Sequence, residues 1–186
     1  MADRSTFLGE STKEILGITS DDQIESLNEW TQKGGETFSC DFILRDGDTL
    51  RHLIAKACIK YCPVETVDEW MERRQKLEEV GVIVPALFKR DRAVIIEEFV
   101  PYTLHEAFAM ATSVQKDEIE ESFVSTYETM SRTGFWPISL HDVRSRGQDV
   151  VVIDMGEDIG GPHAIALDEA EVTDLAVKAF QRIAYQ

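Results

Sequence analysis

Hydrophobic positions alternate with polar ones through much of the first hundred residues and recur every three or four residues thereafter, so strands are expected early and helices late. The first expected element is a helix. Ser20-Asp21-Asp22-Gln23 offers capping side chains, Ile24, Leu27 and Trp30 share one helical face, and Lys33-Gly34-Gly35-Glu36 breaks the pattern. Residues 38–44 alternate as a strand does, and Arg45-Asp46-Gly47-Asp48 reads as a turn. A second strand falls within residues 50–59, with His52-Leu53-Ile54-Ala55-Lys56-Ala57 at its centre. Residues 63–80 predict a helix: Pro63 suits the first turn, Glu65, Asp68 and Glu69 lead, and Arg73, Arg74 and Lys76 follow toward the C-terminal end. Gly81 stops it.

Residues 82–88 then read as a strand, 89–92 as a charged turn and 93–100 as a strongly apolar strand. A short helix is expected at 104–110 and a longer one at 116–132, with Ile119, Phe123, Tyr127 and Met130 on one face and Gly134 closing it. Residues 150–153 form a buried strand ending at Asp154, and 169–185 a last amphipathic helix. Strands mostly precede helices, which predicts an α+β architecture and not a regularly alternating sheet.

A length of 186 residues fits one domain, 1–186, or two small lobes sharing a cleft. Charge narrows the partners. Nineteen Lys and Arg stand against 35 Asp and Glu, a formal net charge of -16, which repels phosphate backbones and anionic lipid heads and favours a protein partner with a basic surface. No nucleic acid or membrane is therefore expected as a partner. No apolar run approaches the roughly 20 residues that span a bilayer, and Met1-Ala2-Asp3-Arg4-Ser5-Thr6 lacks the layout of a secretion signal. Cys40, Cys58 and Cys62 are an odd number without CxxC spacing. They read as reduced thiols of a cytoplasmic protein, and the four-residue step from Cys58 to Cys62 lacks the second pair that a metal site needs.

The motifs add a more specific picture. In order come a strand, a strand with Lys56 in Leu53-Ile54-Ala55-Lys56-Ala57, a helix with Glu69-Trp70, then Gly81-Val82-Ile83-Val84-Pro85. Ile95-Ile96-Glu97-Glu98-Phe99-Val100, helices, and Val151-Val152-Ile153-Asp154-Met155-Gly156 complete the series. This order, over roughly residues 30–156, resembles the protein-kinase-like fold, and its Gly-Val-x-Val-Pro and Ile-Asp-Met-Gly runs resemble those of aminoglycoside phosphotransferases and bacterial lipopolysaccharide-core sugar kinases. The resemblance implies a small β-rich N-terminal lobe at about 20–98, a reduced helical C-terminal lobe at 101–186, and ATP with Mg²⁺ as cofactors.

It also implies roles. Lys56 would contact the α and β phosphates, held by a Glu of the next helix, for which Glu69 precedes Trp70 appropriately and Glu72 lies one turn on. The plainer alternative has Lys56 snorkelling to water from a strand end. Main-chain groups near Glu98 and Val100 would read adenine; otherwise this run is an ordinary core strand meeting solvent. Asp154 would be the magnesium ligand, with Glu157 and Asp158 adding carboxylates suited to a hard cation; otherwise it begins a solvated acidic turn.

The sequence departs from the family in its catalytic loop. His141-Asp142 offers the sole base candidate, Asp142, but Gly147 stands where the second metal ligand, an Asn, is expected. Asp154 lies only 12 positions after Asp142, too few for a loop and two hairpin strands. A register with strands at 138–143 and 149–153 around a turn at 144–148 fits better. It leaves a catalytic loop at 131–137 without a carboxylate and Asp142 on a surface strand. Gly34-Gly35 is a thin phosphate loop, and the few residues after Asp154 leave no room for a peptide-docking platform. Three functions remain open: a pseudokinase-type scaffold, a minimal phosphotransferase, or an unrelated α+β domain.

Overall fold

A computed structural model describes residues 14, 18, 23–28, 31–33, 37–58, 64–90, 94–134, 142–154 and 168–185. The element order is β1 (Ile24–Leu27), β2 (Thr31–Lys33), β3 (Thr37–Asp46), β4 (Thr49–Cys58), α1 (Val64–Glu79), β5 (Leu87–Arg90) and β6 (Val94–Glu98). Then come β7 (Tyr102–Thr103), α2 (Leu104–Met110), α3 (Ser113–Arg132), β8 (Val143–Arg146), β9 (Asp149–Val152) and α4 (Glu169–Ala184). The class is α+β, with two antiparallel sheets. The chain divides into two compact units, Met1–Asp68 with Ala86–Phe99, and Glu69–Pro85 with Val100–Gln186.

The first unit is built on the order β1-β3-β4-β6-β5, with β2 also on β3. Strands β3 and β4 form a hairpin paired from Asp46↔Thr49 to Thr37↔Cys58. Gly47 turns it at a φ of 60°, which a side chain would resist. Because side chains alternate across a strand, the register puts Phe42, Leu44, Leu53, Ala55, Val94 and Ile96 on one face, where they cluster as a core. Positions 41, 43, 52, 54, 56, 95 and 97 share the other face.

Where a helix opened by Ser20-Asp21-Asp22-Gln23 is expected, Ile24–Leu27 is a strand instead. Ile24–Leu27 pairs with β3 at Phe42 to Leu44, and Thr31–Lys33 pairs farther along the same edge. Just after β1, Asn28 N–H donates to Asp41 O at 3.0 Å, which extends the main-chain pairing of this edge by one residue. Three of the four β1 side chains are exposed, so main-chain pairing holds it and no buried stripe marks it. Gly34-Gly35 lies outside the described residues.

The expected strand at 82–88 splits at Pro85, which has no N–H to give a ladder. Val82 and Val84 are buried in the second unit, while Leu87–Arg90 becomes the edge strand β5 of the first. Helix α1 ends as expected, Gly81 taking a φ of 86° while Val82 N–H reaches back to Leu77 O at 2.9 Å.

The second unit packs α2, α3 and α4 with the sheet β7-β8-β9. Ile119, Phe123, Tyr127 and Met130 are buried as their spacing predicts, and Val172, Ala176, Phe180 and Ile183 repeat the pattern on α4. Phe180 meets Phe123 and Phe108 with ring centres 5.5 and 5.4 Å apart. Capping boxes begin all three helices, at Thr103–Glu106, Thr112–Gln115 and Asp168–Glu171. The Thr112 box starts α3 earlier than its apolar stripe predicts. In the β8–β9 hairpin the turn is shorter than expected: Val143 and Ser145 are buried on strand β8, and Gly147, at a φ of 65°, carries the reversal. Residues 138–141 lie outside the description. No helix among the described residues is long and apolar enough to cross a membrane.

Two measurements follow from these cores. Phe180→Ala empties a fully buried aromatic site, so urea unfolding should show a loss of about 3–5 kcal/mol. Burial, reinforced by the Asp41 charge, pushes the Cys40 thiol up to about 12 from 9.0. The folded chain thus keeps a proton that the unfolded chain releases. Stability should be intact below pH 9, decline as pH rises toward 12, and lose that decline in Cys40→Ala.

Candidate functional site

The candidate site in the first unit starts from one electrostatic problem. Lys56 sits on β4 between Ala55 and Ala57, and a charge in such surroundings needs a counter-charge. Ile54 pairs with Glu97 and Lys56 with Ile95, so Lys56 and Glu97 are diagonal neighbours on one face of the sheet. Their side chains form an ion pair. Glu97 is 1 % exposed and Lys56 13 %, so the carboxylate is the inner member and the ammonium the outer one.

Glu97 escaped the sequence reading, which sought the counter-charge on the following helix. A signal was present: Lys56 stands between Ala55 and Ala57 on one apolar strand, and Glu97 follows Val94-Ile95-Ile96 on another. Glu69, the residue expected to hold Lys56, belongs to the second unit, is 59 % exposed and lies 3.8 Å from Arg73 one turn along its own helix. Glu72 is exposed on the same helix.

Glu98 points the other way. Its N–H donates to Ala86 O at 2.9 Å, and its carboxylate accepts from Ala86 N–H at 3.2 Å, so it pins the start of β5. With its N–H committed inside the sheet, main-chain reading of a base near Glu98 would fall to other groups. Val100, the other such position, is buried at the start of the second unit's last segment.

A second polar line crosses the same face. His52 Nε2 lies 3.0 Å from Asp41 Oδ2, which also accepts from Asn28 Nδ2 at 2.8 Å. Phe99 N–H donates to His52 O at 3.0 Å, and the two rings stack with centres 4.1 Å apart. Burial raises the pKa of Asp41, but the hydrogen bonds from His52 and Asn28 and the His52 charge outweigh it and hold the carboxyl below its ordinary range.

In the second unit, Asp142 and Asp154 flank the β8–β9 hairpin. Ile153 N–H donates to Asp142 O at 2.7 Å and Asp154 N–H approaches the same oxygen at 3.4 Å, so the two residues meet at the hairpin base. Asp142 precedes β8 and is partly buried, not a surface residue within a strand; Asp154 is exposed. One or two carboxylates are the usual protein share of a Mg²⁺ site, so this pair is of the right kind for that ion. Glu157 and Asp158 lie outside the described residues, among which no three His, Cys, Asp or Glu side chains form a metal-binding group. Gly147 is a turn residue with a positive φ and has no side chain to offer a metal. Arg74, 4 % exposed, donates to Pro85 O and pairs with Glu78 at 3.0 Å, which fixes the segment after α1.

The buried pair has a measurable signature. Lys56→Met or Glu97→Leu alone breaks the pair while keeping one of its charges, and should cost about 3–5 kcal/mol in urea unfolding. The combined variant, apolar at both positions, should recover most of that loss; a combined cost equal to the sum of the two would show that the charges act independently. No family model matches the chain, and no curated protein does.

Proposed function

We propose that this chain is a degenerate kinase-like protein that binds ATP with Mg²⁺ and acts as a pseudokinase-type binding or regulatory scaffold. The observation that carries the reading is the pairing of β4, which bears Lys56, with β6, which runs into Glu98, Phe99 and Val100. The resemblance assigns phosphate to Lys56 and adenine to the run near Glu98 and Val100, and the hydrogen bonding of β4 to β6 supports that reading. In this reading Lys56 meets phosphate, main-chain groups near Glu98 and Val100 meet the base, and Asp154 holds Mg²⁺. Glu69 keeps its proposed place as a supporting carboxylate of α1. The scaffold role rests on what the sequence puts in the catalytic positions: Gly147 in place of a metal-binding Asn, and no carboxylate in residues 131–137. A net charge of -16 suits a protein partner with a basic surface.

One observation favours a second reading, a minimal phosphotransferase that passes the γ-phosphate of ATP to a small molecule or protein. Asp142 and Asp154 stand side by side at the hairpin base, and phosphoryl transfer depends mainly on positioning and charge neutralisation.

A thermal-shift titration tests the nucleotide claim. ATP with Mg²⁺ at about 100 times its Kd should raise the melting temperature by about 5–10 °C. The dependence on Mg²⁺ should vanish in Asp154→Asn, and radiolabelled ATP should keep its γ-phosphate. Turnover that Asp154→Asn abolishes would establish the second reading, and no stabilisation by any nucleotide would sink both.

A further inference from the structure

We propose that Glu97 is a built-in competitor for Lys56: an autoinhibitory carboxylate that suppresses the contribution of polyphosphate to binding, so that the site recognises its ligand through the nucleoside. The inference rests on the reading of Lys56 as the phosphate-binding residue. Three observations carry it. Lys56 and Glu97 are ion-paired on one face of the sheet. The ammonium is the more exposed member, so a ligand's phosphate would meet a lysine already engaged by the neighbouring carboxylate. The strands that carry them are paired through five successive positions, from Leu53↔Glu98 to Ala57↔Val94, so neither backbone is free to carry its charge away.

The electrostatics then set the ligand class. A phosphate that took Lys56 from Glu97 would leave a carboxylate buried without that counter-charge and facing a second anion, and two like charges a few ångströms apart in a poorly solvated site repel strongly. A phosphate that instead shared Lys56 would gain only part of the lysine's attraction. Either way the triphosphate adds little to affinity. The favoured determinant is the nucleoside, with the phosphates adding little even when Mg²⁺ accompanies them.

Calorimetric titration of the full chain with adenosine, ATP with Mg²⁺ and tripolyphosphate with Mg²⁺ tests this. On the unaltered protein ATP should bind within about threefold of adenosine, and in Glu97→Gln both ATP and tripolyphosphate should tighten by about tenfold or more while adenosine stays within about twofold. Adding Lys56→Met to Glu97→Gln should erase that gain. If Glu97→Gln fails to fold, Glu97→Leu takes its place, and the comparison of ATP with adenosine on the unaltered chain needs no variant. ATP binding more than about tenfold tighter than adenosine on the unaltered chain would overturn the inference and leave the proposed nucleotide binding standing. So would a Glu97→Gln variant whose phosphate affinities do not move. Failure of the unaltered chain and the variant alike to bind any of the three ligands would overturn both readings.

Discussion

A positive charge carried into a sheet has to be neutralised where it stands, and the first unit is organised around how Lys56 meets Glu97. The pair exists only in one register. Sliding β6 by one residue against β4 would turn Glu97 to the core face beside Phe42 and Leu53, and bring Val94 and Ile96 out of the core. The ion pair and the apolar cluster therefore select the same alignment from opposite faces of one sheet. Agreement between faces matters more here than the strength of the pair, because a buried ion pair gains little net stability over an apolar pair of the same shape. Its leverage is negative: registers that separate the charges are heavily penalised.

That alignment propagates. With Leu53 opposite Glu98, the next residue, Phe99, falls beside His52, and both its main chain and its ring are used there. His52 in turn is held by Asp41, and Asp41 by Asn28, the residue that follows β1. A polar line thus runs from the end of β6 across β4 and β3 to the sheet edge, on the face opposite the apolar cluster. In the second unit the organising constraint is apolar. Phe123 and Phe180 are fully buried, and the segment after α1 is tied in twice, by Arg74 on Pro85 and by Val152 N–H on Ile83 O at 2.9 Å.

Where a side-chain stripe creates an element, the residues announce it. The buried faces of α3 and α4 and the alternation of β3 follow from the order of apolar positions, because burial selects those positions. Elements held by main-chain bonds leave no such trace. Strand β1 exposes most of its side chains, and Ile24, Leu27 and Trp30 imitate a helical face by spacing alone. The run at 82–88 was legible in composition but not in its division, since Pro85 decides which half can join a ladder. For the site, the need of Lys56 for a partner was legible, and the partner was not. Helix α1 and strand β6 both supply Glu residues at plausible positions, and choosing between them takes the β4–β6 register, which is a long-range fact. Asp142 and Asp154 show the converse: their separation of 12 positions already argues for a hairpin, and the hairpin places them at its base.

The two units differ in how much chemistry their geometry leaves open. Transfer of a phosphoryl group needs positive charge free to follow the charge that develops on the moving oxygens. Lys56 offers that charge already engaged by Glu97, and Glu98 spends both its N–H and its carboxylate on Ala86. Asp142 contributes its carbonyl to the hairpin base, and Gly147 contributes the φ of 65° that a side chain would oppose, so the residue that makes the turn possible is one that cannot also ligate a metal. Lys56 and Glu98 thus commit to the fold the charge and the N–H that the proposed site would use, and Gly147 has no side chain to offer. In the proposed reading a ligand is held through contacts that leave those bonds intact, and this is why the reading favours holding a nucleotide over transforming it.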